Sequence, residues 1–329
     1  FALELEPGLA SASLLTLARR LVLVRGKRAV ERRLAPEYPL GIPQTLNDLD
    51  TYFLLEDLFD GLMNLSASLP PASLAYLHLF PPHSPYAPRA KFMDAFNDGW
   101  RPRPKPAAAF RSTVSAEEEE EIQTMRAKYD AYIATVDEDF GRLFDFWQRE
   151  GILERNYVVL TSDHGEIYER GVWGHTNEYL YEPLVRVPLI VSSPGQTARV
   201  DVHAPTSSVD LAPTLLSLTG RVVPPTAEGV LLPGLGGVED AARAVFAIDT
   251  KSSAVRGPIR IATVAVRKGP YKLIAYLGYE GAAEAFQMYD VQNDPEETNE
   301  LSQSKPETFA DLRREIEAKL LQVNAPYQP

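Results

Sequence analysis

Residues 156–166 read Asn-Tyr-Val-Val-Leu-Thr-Ser-Asp-His-Gly-Glu, "NYVVLTSDHGE". An apolar run closes on an acid and an imidazole in consecutive positions, with a glycine after them. The run has the β-branched texture of a strand buried on both faces. The longest periodic segment of the chain lies just before it. Ile122, Met125, Tyr129, Ile133, Val136, Phe140, Leu143 and Trp147 recur at spacings of three and four, one stripe of an amphipathic helix. Ser115 supplies an N-cap, Glu117 to Glu121 bring negative charge to the positive end of the helix dipole, and Gly151 ends the pattern. A second apolar run, "RVPLIVSS" (186–193), follows. Long helix, strand, crossover and strand make the rhythm of a βαβ unit. The expected class is therefore α/β, a largely parallel sheet sandwiched by helices.

Outward from this centre, "SSVDLAPTLLSLTG" (207–220) reads as a helix closed by Gly220, and "PPASLAYLHLF" (70–80) as a buried strand ending in the turn "PPHSPYAPR". Residues 1–35 and 46–65 read as helical, and the Pro-rich, basic stretch 97–114 as a surface excursion. From about residue 240 the texture changes. "AVFAIDT", "IRIATVAVRK", "YKLIAYLG" and "FQMYDVQ" are short alternating strands, and "PETFADLRREIEAKLLQV" is a terminal helix. The expected division is an α/β portion over residues 1–238 and a small α+β subdomain with an antiparallel sheet over 239–329.

The chain has 329 residues, 45% of them hydrophobic, and a formal net charge of −12, which argues against a non-specific nucleic-acid binder. The absence of cysteine excludes disulfides, a thiolate nucleophile and a Cys-type zinc site. No apolar run approaches the roughly 20 residues that span a bilayer; "SLLTLARRLVLV" is broken by Arg19 and Arg20. The start, "FALELEPG", has neither an initiator Met nor a basic region with a cleavage site. The expected location is cytoplasmic, or periplasmic or secreted if a leader lies upstream.

Ligands of α/β sheets bind outside the carboxyl ends of the strands, where Asp163 and His164 fall. A carboxylate suits a hard cation and a neutral imidazole suits several divalent metals. The alternative is structural: Asp163 caps a helix beginning near Glu166, and His164 is a partly buried polar residue. His83, in "PPHSPY", follows the other strand end, and His175, in "WGHTNEY", lies twelve residues after Asp163 in a Gly-flanked loop. Each reads as a structural residue or as a donor aimed at an anion. His78 falls inside its strand and reads as a core histidine; His203 stays ambiguous. The run Glu117–Glu121 reads as a solvated helix start.

Six motifs stand in one order: "HLFPPHSPY", the helix with "YDAYIATVDEDFGRLFDF", "NYVVLTSDHGE", "WGHTNEYLYEPLVRVPLIV", "SVDLAPTLLSLTG" and "YKLIAYLG…MYDVQNDPEETNEL". The series resembles the sulfatase family of the alkaline-phosphatase superfamily over about residues 70–329. The resemblance implies that Asp163 and His164 coordinate a divalent cation, usually calcium and in phosphonate- and phosphodiester-cleaving relatives manganese or zinc. It implies that His83 contacts the ester or its leaving group. His175 falls where many members carry a lysine that binds a sulfate oxygen. The implied function is metal-dependent hydrolysis of sulfate esters, with a small-molecule or carbohydrate sulfate or phosphate ester as partner, no nucleic acid and no membrane segment.

Two departures accompany the resemblance. His175 in place of lysine donates a hydrogen bond with a charge that depends on pH, which leans toward a phosphate-handling relative. The family also places a pair of metal-binding Asp residues and a Cys/Ser-x-Pro-x-Arg motif, the source of its formylglycine nucleophile, upstream of the His-x-Pro loop. This chain has neither; "SSPGQ" (192–196) carries Gln196 where Arg is needed. The expectation is that these residues are the C-terminal part of a longer enzyme whose N-terminal part supplies the nucleophile, and that the chain alone neither turns over esters nor binds calcium tightly. The alternatives are a phosphonate monoester or phosphodiester hydrolase, a phosphoglycerol or phosphoethanolamine transferase, and a non-catalytic binding protein with a degenerate site.

Overall fold

The computed structural model describes residues 33–43, 53–97, 99, 101–110, 115–175, 178–250, 257–280 and 284–327. The helical readings over 1–32 and 46–52 lie outside the described residues. The chain divides into two compact units: Phe1–Arg101 with Ala116–Leu160 and Ile190–Thr197, and Pro102–Ser115 with Thr161–Leu189 and Ala198–Pro329. Together the elements give an α/β fold with an antiparallel sheet near the C-terminus.

In the first unit, helix α1 (Leu55–Ser68) buries Leu55, Leu58, Phe59 and Leu62. Helix α2 (Ala116–Arg149) begins where expected, with Ser115 at the cap position. It stops because Gly151 takes φ +63°, letting the Gly151 amide bond to Gln148 O (3.2 Å) and the Ile152 amide to Trp147 O (2.8 Å). That is the Schellman closure of a helix. The buried row of α2 keeps Ile122, Leu143 and Trp147 of the expected stripe, with Met125, Tyr129, Val136 and Phe140 half-buried, but its middle is taken by Ala131, Thr135 and Asp139 while Ile133 is exposed. Polar partners explain this middle part. Arg89 donates its amide to Thr135 Oγ1 (3.0 Å) and its guanidinium to Asp139 (2.6 Å), Glu138 (2.7 Å) and Glu56 on α1 (2.5 Å).

Strand β1 (Val158–Thr161) pairs with β4 (Leu189–Ser192), as the two apolar runs predicted. The expected strand over 70–80 does not form. Residues 73–80 belong to no strand ladder among the described residues, and Leu74 and Tyr76 are largely exposed. Alternating apolar residues make a strand only where a neighbour completes the ladder, and none does here. His78 is consequently exposed beside Tyr76, whose hydroxyl lies 3.2 Å from its Nδ1, instead of in a core.

The second unit is built on a four-stranded antiparallel sheet in the order β5 (Val245–Asp249), β6 (Ala262–Lys268), β7 (Tyr271–Leu277) and β8 (Glu284–Asp290). Its alternation serves two cores. Val264, Val266, Leu273, Ala275 and Met288 pack on Leu312 and Ile316 of the terminal helix (Pro306–Asn324). Ala265, Ile274, Tyr276 and Tyr289 pack with Ile167, Val172, Tyr179, Tyr181 and Leu184. Each of the larger apolar side chains contributes about 1.5–3 kcal/mol by leaving water, which is why both sets of alternate positions are apolar.

Two polar links tie this unit together. Lys272, buried in β7, ion-pairs with Glu182 and with Glu297 (2.9 Å each), and Glu297 also accepts the Glu182 amide (2.9 Å). Burial pushes the Glu297 carboxyl above its usual range, against the pull of Lys272. Glu182 opens the one-turn helix α3 (Glu182–Val185). Helix α4 (Leu211–Leu218) follows a 3₁₀ turn, Ser208–Asp210, closed by a Ser207–Asp210 capping box. Asp210 also receives both guanidinium nitrogens of Arg243 (2.6 and 2.8 Å).

Candidate functional site

The segment after β1 is fixed residue by residue. Ser162 Oγ donates to His164 O (2.5 Å), and Asp163 Oδ1 accepts the His164 amide (3.0 Å). His164 Nδ1 lies 2.8 Å from the carbonyl oxygen of Gly165. A carbonyl only accepts, so Nδ1 carries the proton and, in the neutral ring, Nε2 carries the lone pair. That Nε2 is 3.8 Å from Asp163 Oδ2, whose side chain is 61% exposed. Gly165 then donates its amide to Leu184 O (2.8 Å). A side chain at Gly165 would bring its Cβ to 2.0 Å from Pro183 O, so only glycine permits this approach of loop and helix α3.

A hairpin brings the next residues in. Strand β2 (Ile167–Glu169) pairs antiparallel with β3 (Val172–Gly174) in the register Ile167↔Gly174, Tyr168↔Trp173, Glu169↔Val172. Arg170 and Gly171 form the two-residue turn, both at positive φ (58° and 71°), as a type I′ hairpin requires. Arg170 holds the unfavourable conformation because its buried guanidinium donates to Pro106 O (2.6 Å) and Glu297 O (2.5 Å) and lies over the Tyr181 ring (4.3 Å). Continuing the register by one step sets Glu166 opposite His175. Their side chains meet there, His175 Nδ1 donating to a Glu166 carboxylate oxygen.

The structure thus brings His164 and His175 together, their rings stacked at 4.1 Å with 26° between planes. One donor atom each from His164, Glu166 and His175 lies within 4.8 Å of the others. Two imidazoles and a carboxylate, with both Nδ1 protons assigned to fixed acceptors, are a donor set that fits a divalent cation. Asp163 flanks this group through His164 and is not part of it. The alternative of a helix starting near Glu166 gives way to the strand β2. His83 belongs to the first unit, where its Nδ1 lies 2.7 Å from Ser84 O and its ring packs on Phe80 (4.7 Å). His203 is exposed. Sequence reasoning missed Glu166. The signal that finds it is "EIYERGVWGH", two short runs around an Arg-Gly turn.

Among the described residues no helix is long and apolar enough to cross a membrane. The chain is similar to the choline-sulfatase of Rhizobium meliloti (strain 1021), 30% identical over 243 residues, which cover 68% of this chain and 45% of that protein. It is 31% identical to arylsulfatase K of Mus musculus over 205 residues, 60% of this chain and 36% of the relative. The chain therefore spans less than half the length of these relatives. In structure it is similar to the phosphonate monoester hydrolase of Agrobacterium radiobacter, with a TM-score of 0.64 and 20% identity, over 96% of this chain and 69% of the other. At that identity the likeness concerns the fold. The family model described as sulfatase matches residues 33–221, and that of the N-sulphoglucosamine sulphohydrolase C-terminal region matches residues 171–326. Every β-strand described above falls inside their combined span, and the chain belongs to the sulfatase family.

Proposed function

We propose that this chain carries part of the active site of a metal-dependent sulfuric ester hydrolase. The observation that carries the reading is the convergence of His164, Glu166 and His175 at the end of β1, beside Asp163. Asp163 and His164 are the residues that would hold the divalent cation, Asp163 from the flank of the three-residue group; a cation there would supply positive charge to the non-bridging and leaving oxygens of a tetrahedral ester. His175, standing where the resemblance implies a lysine, is the candidate to orient the ester: Glu166 takes the Nδ1 proton and fixes the ring, and the imidazolium form has a second N–H, at Nε2, to donate to an ester oxygen. His83 is the candidate to contact the leaving group and hand it a proton. No residue of this chain is assigned as the nucleophile. The names choline-sulfatase and arylsulfatase K favour a small sulfate ester as substrate.

A second reading, hydrolysis of phosphonate monoesters, is favoured by His175 in place of lysine and by the fold shared with a phosphonate monoester hydrolase. The test is turnover of 4-nitrophenyl sulfate, choline sulfate and 4-nitrophenyl phenylphosphonate by the native protein that contains this chain. A sulfate preference with a loss of about 10²–10³-fold in His164→Ala is expected. Preference for the phosphonate selects the second reading, and turnover unaffected by His164→Ala rejects both.

A further inference from the structure

We propose that Lys105 is a positioning residue of the candidate site: it straps residues 102–110 onto the β2–β3 hairpin and, through Glu169, fixes the register that sets Glu166 against His175. The proposal rests on the reading of those residues as part of an ester-hydrolysing site and adds what holds them in place.

Residues 101–106, "RPRPKP", alternate cation and proline. By composition such a stretch is extended and solvated, and Arg103 obeys, with 75% of its side chain exposed. Lys105 does not, with 7% exposed. Withdrawing an ammonium from water is costly unless a counter-charge meets it. Here Lys105 Nζ meets Glu169 Oε2 at 2.5 Å, and the Glu169 side chain is itself only 9% exposed.

The rest of the strap is held by side chains. A segment outside any ladder leaves its carbonyls to be satisfied by other donors. Arg170 donates to Pro106 O (2.6 Å), Gln287 to Ala107 O (3.4 Å) and Tyr179 to Ala109 O (2.8 Å). Between these bonds Ala108 is buried in the core that also holds Ile167 and Val172 of the hairpin. Phe110, at φ 64°, closes the run with its ring edge-on to Tyr276 (5.3 Å).

Strap and site join at Glu169. It ends β2, pairs with Val172, and receives Arg170 Nε (3.2 Å) as well as Lys105. Glu166 lies three residues back, about 10 Å along the strand, and antiparallel pairing carries the register over that distance. A short isolated hairpin is marginal in water, so the far end of this one needs an anchor if its near end is to hold Glu166 against His175. Removing Lys105 takes from a buried carboxylate the closer of these two cations.

The test uses the native protein that contains this chain, with isotope-labelled histidine rings followed by NMR. Lys105→Met keeps the stem and removes the charge. It should shift the His164 and His175 ring resonances and leave that of His203, exposed elsewhere, in place. It should also lower kcat/KM by about 10–100-fold on 4-nitrophenyl sulfate or 4-nitrophenyl phenylphosphonate, whichever the protein prefers. Lys105→Arg, which restores the cation, should recover both readouts. Tyr179→Phe loosens the strap by one hydrogen bond and keeps the ring; it should move the same resonances by less, and it carries the test if Lys105→Met does not fold. A lowered unfolding midpoint with the His175 resonance and kcat/KM unmoved would make the ion pair merely structural and overturn the proposal, and so would moved resonances with full turnover. His164→Ala, run alongside, separates the two readings. Activity lost there and kept in Lys105→Met rejects the strap alone, and activity kept in both rejects the ester-hydrolase reading with it.

Discussion

Gly165→Ala separates steric from conformational roles of glycine at the candidate site. Gly165 does not sit in the left-handed region, so alanine carries no φ penalty there. What alanine meets is backbone: its Cβ would stand 2.0 Å from Pro183 O and 3.1 Å from Pro183 C. Neither atom is the end of a flexible side chain, so the loop and helix α3 must move apart by about 1 Å or more, an overpacking that costs about 1–3 kcal/mol. The Gly165 amide bond to Leu184 O is lost with that movement, about 1 kcal/mol more. The stiffer unfolded chain returns about 0.4–1 kcal/mol. The net expectation is a loss of about 1–3.5 kcal/mol, read as a lower urea midpoint. The site should register it as well, through shifted imidazole resonances of His164 and His175, whose rings now stack. Gly174→Ala is the complementary control: Gly174 has φ +88° and nothing within 4 Å of the added Cβ, so its cost is conformational. A Gly165→Ala protein within about 0.5 kcal/mol of wild type, with both histidine resonances unmoved, would show that α3 does not position the loop.

Two further predictions concern buried charge. Burial pushes the Asp210 carboxyl up, but the paired bonds from Arg243 and the amides of Val230 and Ser207 together pull it below the usual carboxylate range. Its stabilisation is therefore complete above the unfolded value of about 4 and fades as pH falls through the lowered folded value. Asp210→Asn should cost about 3 kcal/mol at neutral pH and flatten the acid limb of a urea-midpoint profile below about pH 5; curves of equal slope would refute the assignment. Arg89→Lys keeps the charge but replaces the planar fork that reaches Glu56, Glu138 and Asp139. It should cost about 2–3 kcal/mol, and a wild-type unfolding midpoint would contradict the hub.

What could be read from the sequence follows from how local each determinant is. Helix α2 was legible from its periodicity and from Ser115 and Gly151. The middle of its buried face was not, because Thr135 and Asp139 turn inward to meet Arg89, whose position 46 residues away along the chain from Thr135 leaves no periodic trace. The strand over 70–80 failed for the same reason in reverse, an alternating pattern without a ladder partner among the described residues. Lys272 in the strand "YKLIAYLG" is buried because Glu182 and Glu297 supply its counter-charges from distant segments, which strand alternation alone does not reveal. The site divides along the same line. Asp163 and His164 are adjacent and stand at a strand end, so they were visible at once. Glu166 joins them only through the hairpin, whose first turn residue is an arginine at positive φ, a place where Asn, Asp or Gly would have announced the turn. Once that turn is fixed the rest is forced. Antiparallel partners step outward one residue at a time on each strand, so the turn that pairs Glu169 with Val172 also sets Glu166 against His175. The second histidine of the candidate site is thus specified by strand register rather than by any feature of its own neighbourhood.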